Sequence, residues 1–211
     1  MKVVAINGSP KKDGNTNQAL QLVGKQLELQ GIEFEVIHIG HKPIRGCTAC
    51  GNCFKNRDEK CSMKDDGVNE AIQKMKLADG IILGSPVYYA GIAGTMKSFL
   101  DRAFYVSGSN GGFFRNKVGA SVVAVRRTGG SFTFDNLNHY LLYSEMMIAT
   151  SNYWNIIHGR TPGEVHEDAE GVQIMEVLGK NIAWQLKMRE ATRDTIPAPT
   201  PTAKVMTSFV R

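Results

Sequence analysis

The stretch Val3-Val4-Ala5-Ile6-Asn7-Gly8-Ser9-Pro10 decides how the rest of the chain is read. Val3–Ile6 is continuously apolar, and Asn7-Gly8-Ser9-Pro10 stops it with turn-forming residues, which is the pattern of a strand and its exit. A strand with no polar face belongs to a sheet covered on both sides. The next segment agrees: Thr16–Gln30 places Leu20, Val23 and Leu27 at a helical period. Phe34–Ile39 then reads as a second strand, more alternating than the first, as suits a sheet edge.

The same alternation continues. Val68, Ala71, Ile72 and Met75 make a helix face, and Ile81–Leu83 is a buried-strand pattern ending at Gly84-Ser85-Pro86. Ile92, Met96, Phe99, Leu100 and Ala103 are helical, Val118–Val125 is a strand, and Leu137, Tyr140, Leu141, Ser144 and Ile148 repeat helically. Tyr153–Ile157 reads as a fifth strand and Ile174, Leu178, Ile182 and Leu186 as a last helix. Strands separated by helices pair in parallel, because the crossover lays each helix on a sheet face. The expectation is an α/β fold: a doubly wound, five-stranded parallel sheet in the flavodoxin-like order 2-1-3-4-5. Residues 1–190 form one such domain, interrupted by a polar, cysteine-bearing insertion at about 41–66. From 191 to 211 the alternate prolines Pro197, Pro199 and Pro201 forbid a helix and predict an extended arm.

Composition narrows the function. The 211 residues are 42% hydrophobic and 21% charged, ordinary globular values that exclude a disordered chain or a fibre. No apolar run approaches the roughly 20 residues of a membrane span, and the N-terminus lacks a signal-peptide layout, so a cytoplasmic protein with reduced thiols is expected. The net charge of +5 comes from scattered Lys and Arg, no run exceeding two residues, with no motif that reads nucleic acid. A mild preference for small anions is the plain reading.

Three segments fall at the carboxyl ends of strands, where doubly wound sheets bind ligands. Gly8 to Asn17 joins the first strand to a helix whose N-terminus offers free N–H groups to an anion, with Ser9, Lys11, Asn15 and Thr16 as additional donors. It is neither a Walker loop nor a GxGxxG turn. On its own it reads equally well as a solvated loop with Thr16 or Asn15 as an ordinary cap. Gly84 to Gly91 supplies backbone donors and tyrosine walls for a flat aromatic ligand, and Arg126-Arg127-Thr128-Gly129-Gly130 brings N–H groups and positive charge to the same edge.

Together with Met96-Lys97-Ser98-Phe99-Leu100-Asp101-Arg102, these segments resemble the flavodoxin-like NAD(P)H-dependent FMN reductase family over residues 1–190. The resemblance implies that Ser9, Lys11, Asn15 and Thr16 hold the FMN phosphate and that Ser85, Pro86, Val87 and Tyr88 line the flavin ring, with Arg126, Gly129 and Gly130 beside it. Lys97 and Asp101, four apart on a helix, read as a structural pair.

All four cysteines, Cys47, Cys50, Cys53 and Cys61, lie within fifteen residues. In a reducing compartment such a group points to a metal centre more than to disulfides. Zinc sites set two pairs on separate knuckles, whereas three cysteines at two-residue gaps match half of a ferredoxin site. Zinc, a redox-active thiol pair and idle thiols stay open on spacing alone. Joined to the flavin segments, the pattern resembles the iron–sulfur flavoprotein family. That implies a 4Fe–4S cluster on these four cysteines, although Ser62 stands where ferredoxin runs have proline. The implied activity is an FMN-dependent oxidoreductase passing electrons between a reduced donor, NAD(P)H or a small redox protein, the flavin and the cluster, in a homodimer or homotetramer. The alternative is a cluster-free NAD(P)H-dependent reductase of flavins, quinones or azo compounds.

Overall fold

The computed structural model describes residues 1–63, 66–207 and 209; Lys64 and Asp65 of the insertion and Ser208, Val210 and Arg211 of the arm lie outside the described residues. Strand β1 (Lys2–Asn7) sits between β2 (Glu33–His38) and β3 (Gly80–Tyr88), parallel to both. β3 pairs in parallel with β5 (Val118–Val125) and folds back on itself as the two-residue antiparallel β4 (Gly91–Ile92). β5 in turn pairs in parallel with both β6 (Met147–Ile148) and β7 (Ile156–His158).

The sheet therefore has seven strands in the path β2-β1-β3-β5-β6, with β4 and β7 off that path, and not five strands in the order 2-1-3-4-5. Two local events account for the difference. The outermost strand is broken: segment 149–155 leaves the sheet between β6 and β7, so β5 meets one piece at Val118–Gly119 and the other at Val123–Val125. The third strand also runs on past Leu83 to Tyr88 before it turns.

Alternation along the strands feeds two cores, as a pleated sheet requires. Val4, Ile6, Ile81, Leu83 and Val123 face one side and pack on α3 (Val68–Leu77), α4 (Gly94–Ser109) and α5 (Gly130–Tyr143). Val3, Ala5, Ile82, Ala120 and Val122 face the other side, under α1 (Asn15–Glu28) and α6 (Ala169–Ala191). β2, read as the more alternating strand, is the sheet edge; Lys2 ties it to β1 through ion pairs with Glu33 and Glu35 at 2.8 Å each. The helical repeat through Leu137 and Leu141 ends with α5 at Tyr143, so Ile148 belongs to β6 and not to the helix. No helix among the described residues is long and apolar enough to cross a membrane.

The short helix α2 (Asn52–Asn56) lies inside the cysteine segment, against α4. After α6 the chain from Thr192 to Thr207 has no helix or strand. It leans back on the domain, where Arg115 Nη1 donates to Pro199 O at 2.7 Å and Lys204 Nζ lies 3.7 Å from the Tyr143 ring centroid.

Candidate functional site

The first loop is built from its own polar atoms. Asn7 is fully buried; its Oδ1 accepts from Ser9 N at 3.0 Å and its Nδ2 donates to Lys12 O at 3.3 Å. Lys11 N donates to Ser9 Oγ at 3.2 Å. His38, at the end of β2, lies with Nε2 2.7 Å from Ser9 O. A carbonyl only accepts, so that nitrogen carries the proton. His38 stacks on His41 at 4.4 Å, and its burial depresses its pKa. It is thus a support of the loop, not a solvated side chain. Gly8 is fixed by close approach, since a Cβ there would stand 2.6 Å from Met96 Cβ of α4.

The loop delivers α1 with an open N-terminus. Gly14 makes no side-chain cap, and Thr16 in the first turn is 1% exposed with an Oγ1 that has no hydrogen-bond partner. Buried hydroxyls are nearly always partnered, so an orphan beside free helix N–H groups fits an absent anion acceptor. Thr16 is therefore not an idle cap. Ser9 is also buried, its hydroxyl accepting from Lys11 N, while Lys11 is exposed on the rim. Asn15 faces a neighbour: its Oδ1 accepts from Gly163 N at 3.0 Å.

That contact brings in a segment the sequence reading passed over. Gly159-Arg160-Thr161-Pro162-Gly163 follows β7 and packs on the first loop, with the site of a Gly159 Cβ 2.8 Å from Asn15 Nδ2. The signal was present, because Gly159, Pro162 and Gly163 follow a strand here as Gly8 and Pro10 follow β1.

The third-strand segment differs from expectation in form. Ser85, Pro86, Val87 and Tyr88 lie within β3, with Ser85 and Pro86 paired to Val123 and Ala124 of β5, and are not a loop. Ser85 is fully buried and its hydroxyl is used internally: it accepts from Ala93 N at 3.1 Å and donates to Pro86 O at 2.8 Å. The turn itself is Tyr89-Ala90, both at positive φ (48° and 57°), with Tyr89 wholly exposed. Two non-glycine residues in the left-handed region are strained and need outside support. Gly129 gives it: at φ +85° it comes so close to the hairpin that a Cβ would stand 2.7 Å from Ala90 Cα. Gly130 opens α5, buried against Val125 and Ile156, and Arg126 is exposed at the same edge. The contacts thus join the loops after β1 and β7, and the turn after β3 to the loop after β5. Gly8 N donates to Gly84 O at 2.9 Å, linking the two groups.

The four cysteines line one shallow recess, whose walls also include Arg102 and Tyr105. The backbone bends sharply to bring them there, with Ala49 (φ 52°) and Gly51 (φ 71°) in left-handed conformations on either side of Cys50. Cys53 is buried and its Sγ lies 3.8 Å from Ser109 Oγ; Cys47 and Cys50 are exposed. Hydrogen bonds from the Ser62 hydroxyl, at 3.5 Å, and from the Asn52 backbone lower the pKa of Cys50. Cys61 is clamped to α3: its N–H donates to Asn69 Oδ1 at 2.8 Å and its carbonyl accepts from Asn69 Nδ2 at 3.0 Å. Among the described residues, no three His, Cys, Asp or Glu side chains gather as a single-ion site. The sulfurs instead share the rim of a recess. Four thiol donors around one cavity, held by neighbours that are mostly neutral, suit a soft-metal centre.

Helix α4 serves both places. Met96 supports Gly8 near its start, and Arg102, Tyr105 and Val106 wall the cysteine recess further along. Lys97 and Asp101 form the expected structural pair at 2.6 Å, and Tyr140 of α5 joins it, donating to Asp101 at 2.5 Å.

Known proteins resemble this chain over most of its length. An iron–sulfur flavoprotein of Methanocaldococcus jannaschii is 35% identical over 195 residues, covering 89% of this chain and 98% of the relative. One from Methanosarcina thermophila is 30% identical over 199 residues, covering 92% and 100%. A solved archaeal flavodoxin superposes with a TM-score of 0.58 at 18% identity, over 89% of this chain and 99% of that one, which is a likeness of fold. The family model described as NADPH-dependent FMN reductase matches residues 1–161, and with that the chain belongs to the NADPH-dependent FMN reductase family.

Proposed function

We propose that the protein is an FMN-dependent oxidoreductase of the iron–sulfur flavoprotein type, taking electrons from NADPH or another reduced donor. The observation that carries the flavin reading is the buried, unpartnered Thr16 hydroxyl in the uncapped first turn of α1, where strand-end loops converge. Ser9, Lys11, Asn15 and Thr16 would hold the phosphate: Thr16 as hydroxyl donor, Lys11 as a counter-charge on the rim, Ser9 through the loop shape it fixes, and Asn15 by docking the Gly159–Gly163 segment. Ser85, Pro86, Val87 and Tyr88, with Arg126, Gly129 and Gly130, would face the ring; Ser85 and Gly129 act by fixing the hairpin and not by direct contact.

Cys47, Cys50, Cys53 and Cys61 would hold a 4Fe–4S cluster. Their shared recess supports this, as do the names of the relatives. Bound FMN would supply the capacity to take electrons as a pair and give them up singly, which suits a hydride donor on one side and a one-electron centre on the other. The protein's part is to place the two sites on one rigid element, α4. We assign residues 1–190 to the flavin-binding domain, with 41–66 as its cysteine insertion and 191–211 as its arm. A cytoplasmic setting would keep the thiols reduced. Exposed aromatics such as Tyr89, Phe132 and Trp154 support assembly into a homodimer or homotetramer.

Anaerobic purification followed by absorption spectroscopy, flavin release and assays of iron and acid-labile sulfide tests the proposal. FMN with iron and sulfide is the expected result. Protein that binds no FMN after reconstitution refutes the flavin reading; zinc in place of iron and sulfide refutes the cluster alone. Cys53→Ser should remove the cluster absorption and leave FMN bound.

A further inference from the structure

Arg102 is a buried cation that the flavin and thiol assignments leave without a role. Its side chain is 0% exposed, on α4 between the buried Leu100 and Ala103. All five guanidinium N–H groups are placed. Nε donates to Cys61 Sγ at 3.3 Å. Nη1 donates to Arg45 O at 3.3 Å and to Asp66 Oδ2; Nη2 donates to Met63 O at 3.1 Å and to Asp66 Oδ1 at 3.3 Å. One side chain thus grips the chain two residues before Cys47, the chain two residues after Cys61, and the sulfur of Cys61 itself. Lysine, with three donors on one nitrogen, cannot make this set.

The Asp66 pair and the two carbonyl contacts hold the segment closed. The Nε–H aimed at sulfur does something else. An N–H donor and a positive charge beside a thiolate ligand stabilise the more negative, reduced form of the centre that the thiolate holds. Asp66, farther from the sulfur on the other side of the guanidinium, partly offsets that charge.

We propose that Arg102 is a positioning residue for the redox centre: it closes the cysteine segment and, through its bond to Cys61 Sγ, raises the potential at which the centre accepts an electron, with Asp66 as the opposing charge. This rests on the cluster reading above. The test is the midpoint potential of the cluster, from titrations followed by electron paramagnetic resonance, in wild type, Arg102→Lys and Asp66→Asn. Arg102→Lys loses the directed donor and should shift the potential down. A tenfold fall in the reduced-to-oxidised ratio at fixed potential corresponds to about 59 mV for one electron. Asp66→Asn keeps the donor, removes the opposing charge and should shift the potential up.

A purely structural clamp is weakened by both changes and predicts no such opposition in sign. Unchanged potentials at full iron and sulfide content, or shifts of the same sign, overturn the proposal. If Arg102→Lys fails to hold the cluster, Asp66→Asn decides alone: an upward shift supports the proposal and no shift overturns it. Wild-type protein that binds FMN but neither iron nor sulfide defeats the cluster reading and this inference together, and is told apart from the other failures by its metal content.

Discussion

Replacing Thr16 by valine separates a ligand-binding hydroxyl from a structural one, because the two roles predict opposite signs in two measurements. The side chains have the same shape, so packing of the 1%-exposed site is kept. The Thr16 hydroxyl is buried and has no partner within the protein. Leaving a buried polar group unsatisfied costs about 1–3 kcal/mol. Removing it should stabilise the flavin-free protein by about 1 kcal/mol or more, a rise of about 2–4 °C in Tm per kcal/mol at this chain length. If Thr16 holds the phosphate as proposed, the same change deletes a hydrogen bond to a charged group in the complex, worth about 1.5–3 kcal/mol, or roughly ten- to a hundredfold in Kd. Thermal unfolding of flavin-free protein gives the first quantity and quenching of FMN fluorescence on titration gives the second. Thr16→Ser keeps the hydroxyl and should hold affinity near wild type. A valine variant that binds FMN as wild type does, or whose flavin-free form melts lower, would show that the hydroxyl has a partner within the protein and that the phosphate lies elsewhere.

Three further predictions concern the supports of the site. Gly129→Ala forces a side chain into the left-handed region and against Ala90, and should lower stability by about 1–3 kcal/mol and weaken FMN binding by displacing the hairpin, as read by unfolding and by titration. Asp168 caps α6, accepting from Gly171 N at 2.9 Å and from His158 N at 2.7 Å. Burial opposes its charge, but these donors and the His158 ring outweigh that and hold its pKa below the usual aspartate value. A depressed folded pKa gives stability that is present above the unfolded value of about 3.9 and is lost as pH falls through the folded one. Asp168→Ala should therefore cost about 1 kcal/mol near neutral pH, and less in urea unfolding series below about pH 4. Tyr140 is pushed up to about 12, by burial first and then by its bond to Asp101. Its contribution is present below the unfolded pKa of about 10 and lost as pH rises through the folded value, so Tyr140→Phe should remove the last tyrosine to ionise in an ultraviolet titration and flatten the alkaline loss of stability.

The fold was legible where one strand's own residues carry the signal. Val3–Ile6 and Val118–Val125 are apolar on both faces because helices cover both, and that is visible without any partner. The broken outer strand was not legible. β6 is two residues and β7 three, too short for a period, and Ile148 falls in phase with the α5 repeat by accident of spacing. Ser85-Pro86 reads as a turn for a similar reason. Its local chemistry is that of a loop, but Ser85 finds Ala93 N eight residues on, and β5 extends far enough to hold both residues in the sheet. Tertiary pairing overrode local preference.

The candidate sites divide along the same line. The cysteine spacing and the turn residues after β1 and β3 are local, and they pointed to residues that the structure brings to one recess and one edge. What the sequence hides is any role set by burial. Lys97-Ser98-Phe99-Leu100-Asp101-Arg102 presents one exposed, one half-buried and one buried charged residue, and nothing in the order distinguishes them. Lys97 and Asp101 satisfy each other across one helical turn. Arg102 is offset from them around the helix and points under the cysteine segment, where its acceptors among the described residues are Asp66, two carbonyls and a sulfur. A buried guanidinium cannot shed its proton as a lysine can, so the segment must supply acceptors for it permanently. The demand runs both ways. The arginine needs the folded insertion to be satisfied, and the insertion, with left-handed Ala49, Arg57 and Glu59 and little apolar content of its own, closes upon that buried cation. Coupling of that kind makes the cysteine recess a property of α4 as much as of the four cysteines. It follows that a helix whose other end supports the first loop through Met96 cannot shift without moving both places.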